Sequence, residues 1–139
     1  MSDTEGTRLM RRIFAALVKG DGRPLAESLA DDFRWTIIGT TKWSGTYEGK
    51  QAVLDELFRP LLAQFTDRYT NTPQRFIAAD DYVVVECSGR ATTVDGKPYN
   101  NTYCWVCQIK DGKLQALTEY CDTDLIARTL GEPGDMKPR

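Results

Sequence analysis

Three runs in the last third of the chain, residues 82–92, 98–109 and 114–121, alternate β-branched or aromatic residues with polar ones. Between them stand two Asp-Gly-Lys turns, Asp95-Gly96-Lys97 and Asp111-Gly112-Lys113, whose glycines accept the positive φ of a hairpin. The period of two predicts an antiparallel meander. Strands this long coil under their own twist, and the concave side must be filled.

Ahead of the meander the apolar spacing is helical. Leu9, Met10, Ile13, Phe14, Leu17 and Val18 recur every three or four residues over 7–19, and Gly20 with Gly22 marks the stop. Pro24 suits a first helical turn, and Leu25, Leu29 and Phe33 predict a short second helix ending near Asp31-Asp32. A short strand over 33–38 and a turn-rich stretch over 39–49 follow. Residues 51–64 are apolar around more than one face, which predicts a largely buried third helix, kinked or ended by Pro60. A strand over 75–79 leads into the meander, and Asp122 or Thr123 caps a last helix that runs to Leu130, with Gly131 past its end. Helices first and a long meander after them mean α+β, with helices on one side of a curved antiparallel sheet. The expected organisation is a flexible start (1–6), one domain (7–131) and a flexible tail (132–139).

Composition narrows the partners. With 139 residues and 41% apolar content the chain has material for one core. Its 18 basic and 20 acidic residues are interspersed, which disfavours nucleic acid and anionic lipid as partners. Neither a signal core nor a run of about 18 apolar residues occurs. A cytoplasmic protein is expected.

Cys87, Cys104, Cys107 and Cys121 all fall in strand patterns, as reduced core thiols do. Cys104 and Cys107 spell C-x-x-C, but positions three apart on a strand face opposite ways, so the pair is read as structural. With no histidine in the chain, zinc sites and histidine triads are not expected, and no metal site is assigned. No phosphate or dinucleotide loop is present, and no cofactor is expected.

The candidate chemistry lies on the strands. Glu119 shares one face with Leu117 and Cys121; facing a cavity, its carboxyl would lose solvation and titrate high enough to take and give protons near neutrality. Facing outward, it would be an ordinary solvated carboxylate. Register decides. A three-residue loop at Lys110-Asp111-Gly112 would set Tyr103 opposite Glu119, with Asn101, Trp105 and Cys107 on the same side; a two-residue loop would flip the assignment. Tyr103 and Trp105 then either line a ligand pocket or fill a core or dimer interface. Glu86 and Ser88 alternate with Val85 and Cys87, and the polar set faces either the pocket or the solvent. Trp35 and Phe58 are candidates for shaping the cavity. Trp43 and Tyr47 either gate its mouth or anchor a loop.

The segments 34–39 (Arg-Trp-Thr-Ile-Ile-Gly), 44–50 (Ser-Gly-Thr-Tyr-Glu-Gly-Lys), 99–106 (Tyr-Asn-Asn-Thr-Tyr-Cys-Trp-Val) and 118–123 (Thr-Glu-Tyr-Cys-Asp-Thr) resemble the SnoaL-like, ketosteroid-isomerase-related branch of the nuclear-transport-factor-two-like superfamily. The resemblance implies a cone-shaped α+β barrel, a cystatin-like half-barrel with one deep pocket, often a homodimer through the outer sheet face. Isomerases, polyketide cyclases, epoxide hydrolases, dehydratases and binding modules share that fold. By resemblance, Glu119 matches the last catalytic carboxylate of limonene-epoxide-hydrolase-like members, an Asp there. Their Arg-x-Asp pair falls near Glu86 and Ser88 and is missing. Ketosteroid isomerases place their base within 35–38, where this chain offers Thr36. The expectation is therefore a cofactor-independent isomerase, cyclase or hydratase-like enzyme acting on an apolar carbonyl or polycyclic compound. Glu119 would be its acid/base, Glu86 a second carboxylate and Tyr103 a donor, with Trp35, Phe58, Ser88, Asn101, Trp105 and Cys121 around the ligand. The alternative is a noncatalytic ligand-binding or dimerisation module.

Overall fold

The computed structural model describes residues 4–133. Helix α1 (Glu5–Leu17) starts earlier than the apolar spacing predicts, because the Thr4 side chain accepts the Thr7 N–H at 3.0 Å and caps it. Leu9, Met10, Ile13 and Phe14 are buried as expected, whereas Val18 lies past the helix and is exposed. Helix α2 (Arg23–Glu27) ends at Ser28, short of Asp31-Asp32, since Leu29 already enters strand β1 (Leu29–Ile37). The turn-rich stretch holds an unexpected short strand, β2 (Gly45–Glu48), which pairs with β1.

The third helix runs on through its proline. It comprises α3 (Lys50–Ala52), a π-helical stretch (Val53–Phe58) and α4 (Arg59–Leu62), with right-handed helical backbone at both junctions. Pro60 donates no hydrogen bond and its ring crowds the carbonyl four residues back, so a wider turn just before it relieves the conflict. That wider turn presents Leu57 and Phe58 to the interior.

Strands β3 (Thr70–Ala79), β4 (Tyr82–Arg90), β5 (Thr102–Lys110) and β6 (Lys113–Cys121) form the meander, and α5 (Thr123–Thr129) follows with Asp122 as its cap. The sheet is ordered β2-β1-β6-β5-β4-β3; β1 runs parallel to β6, and every other neighbour is antiparallel. Pro73 sits on edge strand β3, next to a shift of register, where a missing donor is tolerated. Of the termini expected to be flexible, residues 1–3 and 134–139 lie outside the described residues.

The β5–β6 hairpin departs from its expected register in two steps that cancel. Lys110 pairs with Lys113 across a two-residue turn, with Asp111 and Gly112 both at positive φ (53° and 75°). Alone, that turn would have sent Glu119 to the other face. A bulge then offsets the pairing by one, from Ile109↔Leu114 to Gln108↔Ala116, and restores the parity. Glu119 thus faces the core as the longer loop required, but Trp105 stands opposite it and Tyr103 pairs with Cys121. Cys107 is fully buried while Cys104 faces outward, as the strand parity of the C-x-x-C demands; the described cysteines are free thiols.

Candidate functional site

Between the concave sheet face and the helices lies a cavity of about 370 Å³. Trp35 of β1, Phe58 of the π-helical stretch, Tyr103 and Trp105 of β5 and Glu119 of β6 all line it. Trp35 meets Phe58 and Trp105 edge-on, at 5.3 Å and 5.2 Å between ring centroids. Such T-shaped contacts hold broad rings at fixed angles, so the walls are stiff. The Trp35 indole N–H is buried and has no hydrogen-bond partner among the described residues.

Glu119 is 8% exposed. Trp105 Nε1 donates to its Oε1 at 3.0 Å, and the Cys121 thiol also hydrogen-bonds the carboxyl. Burial strips water from the carboxylate and pushes its pKa from 4.5 up to about 7, against the opposing pull of these two donors. A carboxyl group that changes state near neutrality is suited to both halves of a proton transfer.

A phenol wall adjoins it. Tyr103 hydrogen-bonds Tyr69, and Tyr99 lies beside them; desolvation raises the pKa of all three, so each stays a neutral phenol at physiological pH. Buried asparagines hold the outer two. Asn71 Nδ2 donates to Tyr69 Oη at 3.3 Å, and Asn101 Nδ2 donates to Tyr99 Oη at 3.0 Å. Phe65 stacks on the rings of both Tyr69 and Tyr99.

Gly89 makes this packing possible. A Cβ there would stand 2.7 Å from Tyr69 Oη and 2.9 Å from Tyr103 Cε2, inside van der Waals contact. Gly89→Ala is expected to cost about 1–3 kcal/mol by overpacking and to displace both phenols. Urea unfolding measures the loss, and near-ultraviolet circular dichroism reports the tyrosines; an unchanged spectrum would contradict the packing argument.

Other expected site residues sit elsewhere. Glu86 is on the outer sheet face, where its Oε1 pairs with Arg75 Nε at 3.2 Å, and Ser88 Oγ on the same face donates to Gln74 Oε1 at 3.2 Å. Both are corrections. The inward set on β4 is Val83, Val85, Cys87 and Gly89, following the simple alternation of polar out and apolar in. Asn101 is buried but acts as a clip: besides holding Tyr99, it donates to the Asp122 carbonyl at 3.2 Å, and its Oδ1 accepts the Asp122 N–H at 3.0 Å. Cys121 supports Glu119 from the strand end and is not part of the cavity lining.

Trp43 is a buried anchor: its Nε1 donates to the Gly131 carbonyl at 2.7 Å, and Gln64 Oε1 accepts the Gly131 N–H at 2.9 Å. These two bonds fasten Leu130 over the cavity. Tyr47 Oη donates to the Trp43 carbonyl, so this loop is tied down from both sides.

Sequence reasoning missed Tyr69 and Tyr99. The alternation that runs through Asn101, Tyr103 and Trp105 extends back one step to Tyr99, so that signal was present. Tyr69 precedes β3 in an irregular stretch, and only the space left by Gly89 across the strands reveals it. Among the described residues no group of three His, Cys, Asp or Glu is arranged to hold a metal ion, and no helix is long and apolar enough to cross a membrane.

The sequence profile of the SnoaL-like domain matches residues 10–117. The chain belongs to the SnoaL-like domain family. Solved structures repeat this fold over nearly the whole domain. An NTF2-like protein of unknown function from Burkholderia pseudomallei is 21% identical, with a TM-score of 0.79, covering 92% of this chain and 98% of that one. TerC, co-crystallised with polyporic acid, is 18% identical with a TM-score of 0.76, covering 91% and 98%. A candidate SnoaL-like polyketide cyclase from Jannaschia sp. CCS1 is 13% identical with a TM-score of 0.75, covering 94% and 97%. No curated protein matches this chain. At such identities the SnoaL-like relatives share the fold, and the chemistry has to be argued from side chains.

Proposed function

We propose that this SnoaL-like protein is a cofactor-independent acid/base enzyme that moves a proton on an apolar carbonyl compound, in the manner of an isomerase or cyclase. The observation that carries this reading is Glu119: a carboxyl titrating near 7, inside an aromatic cavity and next to neutral phenols. In its ionised form Glu119 removes a proton from the carbon beside a carbonyl. Tyr103 stabilises the oxygen that gains charge, and protonated Glu119 returns the proton at a second position. One carboxyl serves both steps because its two states are close in free energy at working pH. The likeness to a candidate polyketide cyclase and to a protein crystallised with polyporic acid favours a cyclic, oxygenated, largely apolar substrate.

One observation favours a second reading, a noncatalytic ligand-binding module: with Glu86 outside, Glu119 is the only carboxyl lining the cavity among the described residues. Proton exchange separates the two. In deuterium oxide, cyclic ketones such as 2-tetralone are expected to lose their α-protons faster with the protein than with buffer alone, the excess rate rising through about pH 7. Ligand binding throughout a panel of such ketones without any enhanced exchange would sink the catalytic reading.

The reading includes a homodimer through the outer sheet face. Val84, Val106 and Thr118 lie half-buried at its centre, and Tyr82 and Tyr120 project from it with 42% and 47% exposure. Sedimentation equilibrium at micromolar concentration is expected to return twice the chain mass; a monomer would overturn this part.

A further inference from the structure

Once Glu119 is ionised, the cavity holds a negative charge that no described residue balances. Among the described residues lining it, Glu119 and Arg23 are the groups that carry charge near neutral pH, the phenols of Tyr69, Tyr99 and Tyr103 staying neutral. Arg23 stands at the surface with its side chain 83% exposed, paired with Asp21 at 3.0 Å. It is therefore no counter-ion for a buried carboxylate. Trp105 and Cys121 supply hydrogen bonds to the carboxyl, yet neither brings positive charge. Buried ions in proteins are stable when an opposite charge accompanies them.

We infer that the cavity binds a lipophilic ammonium ion, with the Glu119 carboxylate as its counter-ion and the indole and phenol walls as its cage. Aromatic rings attract cations through their quadrupole, tryptophan most strongly, and the attraction grows where water is excluded. Trp35, Trp43, Trp105 and the phenols of Tyr69, Tyr99 and Tyr103 supply that wall. The ammonium N–H groups find acceptors in the carboxylate, whose lone pairs outnumber its two donors, and in the phenol oxygens. At about 370 Å³ the cavity is near the small end of ligand pockets, so the ligand is one compact cyclic amine. The inference goes beyond proton transfer: it requires a charged Glu119 in an apolar chamber and does not require catalysis.

Charged ligand and proton compete for the same carboxylate, so affinity rises with pH as Glu119 ionises. Among the described residues, the other titratable groups facing Glu119 stay neutral across this range. They are Tyr47 of β2, Tyr69 beside β3, Cys87 of β4, Tyr99 and Tyr103 at β5, and Cys121 of β6, all with raised pKa values. Glu119 alone therefore sets the pH dependence near neutrality.

The test uses a matched pair of probes, N-methyl-(2-naphthylmethyl)amine and its neutral isostere 2-(methoxymethyl)naphthalene, titrated calorimetrically against the whole protein. At about pH 8 the amine is expected to bind about tenfold more tightly than the ether, and at about pH 6 most of that advantage is lost. In Glu119→Gln the advantage disappears. Equal affinity for both probes, binding of neither, a preference flat across pH, or one that survives Glu119→Gln overturns the inference. The pH comparison needs only wild-type protein, so a poorly folding variant does not blunt the test. Proton exchange on ketones is a separate measurement, so the failure of one reading is distinguishable from the failure of the other.

Discussion

Glu119→Gln is expected to abolish proton transfer and, above neutral pH, to make the protein more stable. The first effect follows from its role as acid and base: removing such a group typically lowers a rate by about 10²–10⁴-fold, and glutamine can neither take nor give the proton. The second follows from linkage. In the folded protein the Glu119 pKa is raised from 4.5 to about 7, so between those values the native state holds a proton that the unfolded chain has released. Stability therefore falls as pH rises through that window and levels off above about pH 7. At about 1.4 kcal/mol per pH unit the loss amounts to roughly 3 kcal/mol, on the order of what a buried uncompensated carboxylate should cost. Glutamine escapes this loss and still accepts the Trp105 N–H. Urea unfolding of both proteins between about pH 4 and pH 8 checks it: the curves should converge in acid and separate in base. Parallel curves would mean that Glu119 titrates normally and would remove the main support for the catalytic reading.

Phe14→Ala should damage the site without touching it. Phe14 is 1% exposed and packs against Trp105, 5.3 Å between centroids, and edge-on against Phe76 at 5.9 Å. Truncation leaves a cavity behind the very ring whose N–H holds Glu119, and a buried phenylalanine lost in this way costs about 3–5 kcal/mol. The freed space also lets Trp105 move and water approach, so the Glu119 pKa should fall back toward the ordinary carboxylate range. Thermal unfolding measures the first effect and carboxyl NMR the second. A variant destabilised as predicted, with Glu119 still titrating at about 7, would show that the site is insulated from α1. Leucine at this position fills part of the space and should recover part of both effects.

The helices and the last strands were legible because their signals are local. Leu9, Met10, Ile13 and Phe14 follow the period of a helix, and Val83, Val85 and Cys87 follow that of a strand; each period marks a buried face without reference to the rest of the chain. Strand β2 was not legible, since Gly45 to Glu48 has no apolar alternation and becomes a strand only because β1 offers it an edge. The site was legible in part. Tyr103, Trp105, Glu119, Trp35 and Phe58 meet around one cavity, whereas Glu86 and Ser88 were drawn toward it by resemblance and lie on the outer face.

The chain by itself determined the fold class and the apolar face of each long element, because side-chain periodicity and turn chemistry act over a few residues. Tertiary structure alone decided which groups meet. The Asp111-Gly112 turn and the bulge after it each shift the register by one residue, and only their combination puts Trp105 across from Glu119. Tyr69 reaches the phenol wall through space opened by a glycine on another strand. The raised pKa of Glu119 comes from enclosure by α1, the π-helical turn and α5 together with the sheet, and exclusion of water is a property of the assembled chamber that no local stretch of sequence carries.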